Sequence, residues 1–216
     1  MKEFQYEYIT KFINDFYTLH DGELGALEKE AREEGLPVAK RDTIALLEIL
    51  CKLKAPKRIL EVGTCVGFSA LVMSSVCPDA HIDTIDRYKY MIDRAKVNFE
   101  KFHADNITLN EGQASDILPK LTEKYDLIYL DAAKGQYPNF LPYLIDLLRD
   151  DGLFIADNIL CGGIVAGAPL DSRRDKTIVN RMNSFIEMIK NDGRLQKALL
   201  PCGDGIMIFI KKADAK

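Results

Sequence analysis

The run Arg58-Ile59-Leu60-Glu61-Val62-Gly63-Thr64-Cys65-Val66-Gly67-Phe68-Ser69 constrains the fold more than any other stretch. A short apolar, β-branched segment ends in an acid and a glycine, and a helical pattern opens at Phe68. Strand, tight turn and helix start form the first unit of an open α/β sheet, which places a ligand at the carboxyl end of the strand. Gly63 can take positive φ, and Gly67 lets helix and strand approach closely. The spacing is G-x-x-x-G, so the middle glycine that admits a pyrophosphate to the backbone is missing. A nucleotide-like ligand without a pyrophosphate fits better than NAD. S-adenosylmethionine (AdoMet) satisfies this, with Glu61 facing its cationic amino group; a dinucleotide or a purely structural turn are the alternatives.

The rest of the chain repeats the unit. Strands are expected at 58–62, 81–86, 107–111, 126–131, 153–157, 195–200 and 206–211, with helices at 68–76, 89–102, 116–122, 136–148 and 174–191. Such alternation predicts an α/β, Rossmann-like domain: a seven-stranded, mostly parallel sheet with helices on both faces. The link Pro201-Cys202-Gly203-Asp204-Gly205 is too short for a parallel crossover, so the last strand should run antiparallel. Residues 58–216 form this domain. Residues 1–57 read as a helical N-terminal extension: a helix over 4–17 with Phe4, Tyr8, Phe12 and Phe16 on one face, a charged helix from Glu23 to Glu34, and a third from Arg41 to Lys52. The first is packed on the domain, caps a site or joins two subunits.

With 216 residues and 47% hydrophobic content, one α/β domain can bury a full core. The net charge of −4 argues against generic nucleic-acid affinity, so a basic site would have to be local. Five scattered cysteines make no C-x-x-C and no disulfide framework, which suits a cytoplasmic protein. Met1 to Tyr6 carries no apolar signal core, and no apolar run approaches the roughly 20 residues that span a bilayer.

The chemistry gathers at strand ends. Asp86 ends the second strand about 20 residues past the glycine turn, where a carboxylate accepts from ribose hydroxyls. Gly112-Gln113-Ala114-Ser115-Asp116 follows the third strand, where an adenine ring would meet backbone N–H groups. Asp131 ends the fourth strand, and Asp157-Asn158 the fifth. Neighbouring parallel tips share a cleft, and three oxygen donors without histidine or cysteine suit a hard cation, Mg²⁺ first and Mn²⁺ or Ca²⁺ next. The alternative for Asp157 and Asn158 is a turn-forming pair. Lys134 follows Asp131 by three residues. A dication beside it would lower its pKa and let it take a proton from a substrate hydroxyl; otherwise it is a surface lysine.

These motifs resemble the cation-dependent, catechol-type O-methyltransferases of class I AdoMet fold, over about residues 36–212. Leu60-Glu61-Val62-Gly63, Gly67-Phe68-Ser69, Asp131-Ala132-Ala133-Lys134 and Asp157-Asn158 carry the likeness. It implies that Val38, Glu61, Ser69, Asp86, Ala114 and Asp131 contact AdoMet, with Gly63 and Gln113 beside them. It implies that Asp131, Asp157 and Asn158 bind Mg²⁺, that Lys134 is the general base, and that the enzyme is a homodimer.

Small-phenol members usually carry an acid where this chain has Ala133, and the tryptophan of the animal catechol pocket is absent. Asp131-Ala132-Ala133-Lys134-Gly135-Gln136-Tyr137 and Leu200-Pro201-Cys202-Gly203-Asp204-Gly205 look instead like the bacterial tRNA 5-hydroxyuridine O-methyltransferase branch, which makes 5-methoxyuridine at the wobble position. Catechol and 5-hydroxyuracil both offer two adjacent oxygens to one cation. A flipped wobble base can enter such a cleft. The glycine-rich loop from Cys161 to Pro169 leads to Arg173 and Arg174, which oppose a helix dipole and could contact phosphate; a solvated charged turn is the alternative. The alternative acceptor is a small catechol or caffeoyl-type phenol. A nucleotide-binding dehydrogenase and a non-catalytic AdoMet-binding regulator are further readings, the first opposed by the glycine spacing and the acid set.

Overall fold

The computed structural model describes residues 7–213. Three helices lead the chain: α1 (Glu7–Phe16), α2 (Gly22–Glu33) and α3 (Arg41–Lys54). There follow β1 (Arg58–Val62), α4 (Phe68–Val76), β2 (His81–Asp86), α5 (Lys89–Lys101) and β3 (Ile107–Glu111). The second half contains α6 (Ala114–Ile117), β4 (Tyr125–Leu130), α7 (Tyr137–Leu147), β5 (Leu148–Ala156), α8 (Arg173–Asn191), β6 (Leu195–Leu200) and β7 (Ile206–Lys211).

The seven strands form one sheet in the order β3-β2-β1-β4-β5-β7-β6. The first five are parallel neighbours, and β7 runs antiparallel between β5 and β6. The chain builds outward from β1 to β3, then returns to β4 on the other side of β1. That reversal opens a crevice at the carboxyl ends of β1 and β4, where open α/β sheets bind ligands.

Strand alternation sends successive side chains to opposite faces. Ile59, Tyr129 and Ile155 pack with α2, α3, α4 and α5, whereas Leu60, Ile128 and Phe154 pack with α7 and α8. Leu27, Ile44 and Leu47 of α2 and α3 are buried in the first of these layers. On α1 the aromatic spacing is helical from Glu7, and Tyr8, Phe12 and Phe16 are exposed. Phe4 of that expected face lies outside the described residues.

Two elements depart from expectation by more than two residues, for local reasons. Strand β5 starts at Leu148 rather than 153: Leu148 pairs with Tyr125, and Leu153 with Leu127, so the polar segment 149–152 is a bulge inside the strand. The helix expected over 116–122 is only α6 followed by a single 3-10 turn, Leu118–Lys120, because Pro119 lacks the N–H that would continue the ladder. The two arginines opening α8 oppose its dipole as expected. Ser172 and Asp175 offset them in a reciprocal capping box: Ser172 accepts from the Asp175 amide and Asp175 accepts from the Ser172 amide. Among the described residues no helix is long and apolar enough to cross a membrane.

Candidate active site

A cavity of about 1010 Å³ occupies the β1–β4 crevice. Val38, Gly63, Ser69, Asp86, Gln113, Ala114, Asp131, Lys134, Asn158 and Arg174 all line it. Of the remaining sequence-derived candidates, Glu61 and Asp157 are buried just behind its wall, and Arg173 is exposed outside it.

Gly63 makes the crevice possible. Its φ is +111°, and a Cβ there would sit 1.9 Å from the Asp131 carbonyl oxygen. Only a residue without a side chain lets the turn after β1 cross this close to the tip of β4.

Glu61 is fully buried, and its carboxylate oxygens accept from Ser69 Oγ and Thr84 Oγ1, each at 2.5 Å. Burial raises its pKa to about 8; the two hydroxyls oppose that shift, and Asp131 and Asp86 add to it. Of its two hydroxyl partners, Ser69 lines the cavity.

Asp86 is held by three backbone amides. Oδ2 accepts from Cys65 N at 2.8 Å, and Oδ1 from Arg87 N at 2.7 Å and Tyr88 N at 2.9 Å. Arg87 stacks over the Tyr88 ring and donates to Gln113 Oε1 at 3.0 Å. Arg87 and Tyr88 line the cavity and were not anticipated; their adjacency to Asp86 was the available signal.

At the other end stand the strand-tip acids. Leu130 and Ala156 are register partners, and Asp157 N donates to Leu130 O at 3.0 Å, which places Asp131 and Asp157 at neighbouring tips. Asp157 Oδ1 accepts from Asn158 N at 2.6 Å, and Asn158 takes a positive φ of 56° that asparagine tolerates. Burial raises the Asp157 pKa to about 7, and repulsion from Asp131 adds to the shift.

Lys134 opens a 3-10 turn, Lys134–Gln136, ahead of α7. Its Nζ donates to Asp131 Oδ1 at 2.6 Å and to the Tyr137 hydroxyl at 3.3 Å. Burial disfavours the ammonium, but Tyr137, Asp131 and Asp157 outweigh it and hold the lysine above its ordinary pKa. The buried Tyr137 hydroxyl lies 3.2 Å from Leu130 O and 3.1 Å from Asp157 O, bolting the two strand tips together.

The 201–205 loop braces the segment that follows Asn158. Both oxygens of Asp204 accept from Gly162 N, at 2.9 and 3.1 Å, and Asp204 O and Gly205 O accept from Leu160 N and Ile159 N. Asp204 and Tyr137 stood in motifs visible in the sequence, but their partners are distant in the chain. The cysteine thiols near the cavity are unsuited to nucleophilic work: burial pushes both Cys65 and Cys161 up to about 11.

Among the described residues no three His, Cys, Asp or Glu side chains cluster to hold a metal. The candidate centre is of another composition, two carboxylates and an amide. That donor set, with one carboxyl whose pKa is raised by burial and then by its neighbour's charge, is chemically suited to a hard dication.

An open sheet with its cleft at the β1–β4 reversal, an acid on β2 and acids at the tips of β4 and β5 defines a class I transferase architecture. Residues 26–212 match the family described as O-methyltransferase. A Mycobacterium avium (strain 104) protein assigned by inference as an O-methyltransferase is 32% identical over 195 residues, covering 88% of this chain and 86% of that one. A Staphylococcus aureus structure, assigned by inference as a caffeoyl-CoA O-methyltransferase, is 30% identical and superposes with a TM-score of 0.88, covering 95% and 100% of the two chains. The SAH-bound methyltransferase PaMTH1 of Podospora anserina is 25% identical with a TM-score of 0.83, covering 96% and 95%. The chain belongs to the O-methyltransferase family and is an S-adenosylmethionine-dependent enzyme of that class.

Proposed function

We propose that this enzyme methylates the 5-hydroxyl of wobble 5-hydroxyuridine in tRNA, with AdoMet as donor and Mg²⁺, or Mn²⁺ or Ca²⁺ in its place, as cofactor. The observation that carries the chemistry is the convergence of Lys134, Asp131 and the Asp157–Asn158 turn at one end of a cavity whose other end presents Asp86, Gln113 and Ala114.

AdoMet would lie with its ribose on Asp86, its adenine against Gln113 and Ala114, and its methionyl end near Val38, Gly63, Ser69 and Asp131. Asp131, Asp157 and Asn158 would hold the dication, which supplies electrostatic stabilisation of the acceptor oxyanion. The chain's own residues do the rest. Lys134 Nζ, once neutral, takes the acceptor proton. The acceptor oxygen lone pair would form the new O–C bond while the sulfonium S–C bond broke with its electron pair going to sulfur, and S-adenosylhomocysteine would leave. The cavity walls align acceptor and donor, and positioning of this kind contributes much of the rate.

The RNA reading draws support from Arg174, which lines the cavity at the start of α8. Lys40 lines it too, donating to Gly203 O at 3.3 Å. Two cations on the rim give a phosphodiester a place to dock although the protein is acidic overall. The likeness to the Staphylococcus aureus protein favours a second reading, a caffeoyl-type or catechol acceptor.

The deciding experiment offers 5-hydroxyuridine-containing tRNA and caffeic acid or catechol in parallel, with AdoMet and Mg²⁺, and follows methylation by mass spectrometry. EDTA and Asp157→Ala serve as controls. Metal-dependent methylation of tRNA alone supports the proposal; methylation of the phenol alone sinks it in favour of the second reading.

A further inference from the structure

Tyr129 is fully buried, and its hydroxyl has no hydrogen-bond partner among the described protein groups. Its place is specific. It precedes Asp131 by two residues, and the Asp131 amide continues the β4 ladder onto Val62 O, so both project from the same face of the sheet. Its register partners are Glu61 on β1 and Ile155 on β5, and Ile155 in turn precedes Asp157 by two. The phenol thus stands one row beneath the acids at the strand tips. Burial, and then the charges of Asp157, Asp131 and Glu61, hold its proton far more tightly than in a free tyrosine.

None of the nearby carboxylates accepts that proton directly. Glu61 is taken up by Ser69 and Thr84, Asp131 Oδ1 by Lys134, and Asp157 Oδ1 by the Asn158 amide. A second buried hydroxyl, on α3, which packs on the same sheet face as Tyr129, is in the same condition. Thr43 Oγ1, in α3, also has no protein partner. A Cβ on Gly203 would meet Thr43 Oγ1 at 2.2 Å and Asp157 Oδ1 at 3.7 Å, so both oxygens abut one backbone position. Phenylalanine and valine would fill the space of Tyr129 and Thr43 without burying an unpaired O–H, whose desolvation costs free energy. Internal water takes two to four polar partners at sites of this kind.

We propose that the Tyr129 and Thr43 hydroxyls hold an ordered water behind Asp157, and that this layer positions the Asp157 carboxylate for the divalent cation. The inference rests on the metal reading above. Tyr129 and Thr43 are positioning residues: they reach the cation through Asp157. Outer hydrogen-bond partners of this kind tune metal affinity by fixing the orientation of the ligand.

The test measures Mn²⁺ binding by electron paramagnetic resonance for the unmodified protein, Tyr129→Phe, Thr43→Val and Thr43→Ser. AdoMet binding is measured alongside by calorimetry. Tyr129→Phe and Thr43→Val are each expected to weaken Mn²⁺ binding by about tenfold, with AdoMet affinity little changed. Thr43→Ser keeps the hydroxyl and should bind Mn²⁺ as the unmodified protein does. Equal Mn²⁺ affinity in the unmodified protein, Tyr129→Phe and Thr43→Val overturns this inference while leaving the metal reading intact. An unmodified protein that binds no Mn²⁺ overturns both.

Discussion

Lys134 Nζ lies 2.6 Å from Asp131 Oδ1, so the proposed general base is ion-paired to an acid that the dication would share. Burial opposes the charge, but Tyr137, this pairing and Asp157 outweigh it and keep the lysine protonated. A dication among the same acids would compete with the ammonium and favour the neutral amine. Lys134→Met should therefore lower kcat by about 10²–10⁴, the usual contribution of a positioned base. Mn²⁺ affinity should hold or rise, because a competing charge is gone. Single-turnover methyl transfer and Mn²⁺ titration of the same variant check both halves. A kcat close to that of the unmodified enzyme would remove Lys134 from the mechanism.

Two buried acids near the cavity have raised pKa values, Asp157 at about 7 and Glu61 at about 8, in each case through burial first. In the unfolded chain such groups titrate near pH 4. The folded protein therefore holds these protons across the window between about 4 and 8, and the associated stability is lost as pH rises through the folded values. In EDTA, thermal unfolding should come at lower temperature at about pH 8.5 than at about pH 6. Asp157→Asn should shrink the difference by removing one of the two titrations. Mg²⁺ should raise Tm most at the higher pH, where Asp157 is ionised. An EDTA profile that rises over this window would contradict the burial argument.

The strand tips were legible because apolar runs ending in Glu61, Asp86, Asp131 and Asp157 carry both strand spacing and chemistry. Parallel alternation alone then brings Asp131 and Asn158 into one cavity. Capture by distant groups was not legible. Glu61 is drawn behind the wall by Ser69 and Thr84, which strand periodicity cannot foresee. Arg87 turns back over Tyr88 to Gln113, a contact between the ends of two different strands. Asp204 finds Gly162 across 42 residues of chain. Segment 149–152 looked like a loop because it is polar, and only pairing with β4 makes it part of β5.

The tight approach of Gly63 to the β4 tip makes a sharp stability prediction. Gly63→Ala would place a methyl group 1.9 Å from the Asp131 carbonyl at a φ of +111°. Neither atom belongs to a side chain that can swing away. The β1 turn and the β4 tip must separate, at a cost of roughly 3 kcal/mol or more from overpacking and backbone strain together. Urea unfolding should show the loss. AdoMet binding by calorimetry should weaken under conditions where the variant is still folded, because the displaced residues form the cavity wall. A variant with unchanged midpoint and affinity would mean that the turn relaxes without strain.

Arg174 separates the two acceptor readings. It lines the cavity, whereas Arg173 beside it does not. If Arg174 contacts a tRNA phosphate, Arg174→Ala should raise KM for 5-hydroxyuridine-containing tRNA and reduce the slope of log affinity against log salt by about 1. Arg173→Ala should do less. A small phenol carries no phosphodiester, so its KM should be indifferent to Arg174→Ala over the same salt series. Initial methylation rates across a potassium chloride gradient supply both numbers. An unaltered salt slope in Arg174→Ala would remove the arginine from any phosphate contact, and the RNA reading would lose its main support on the cavity rim.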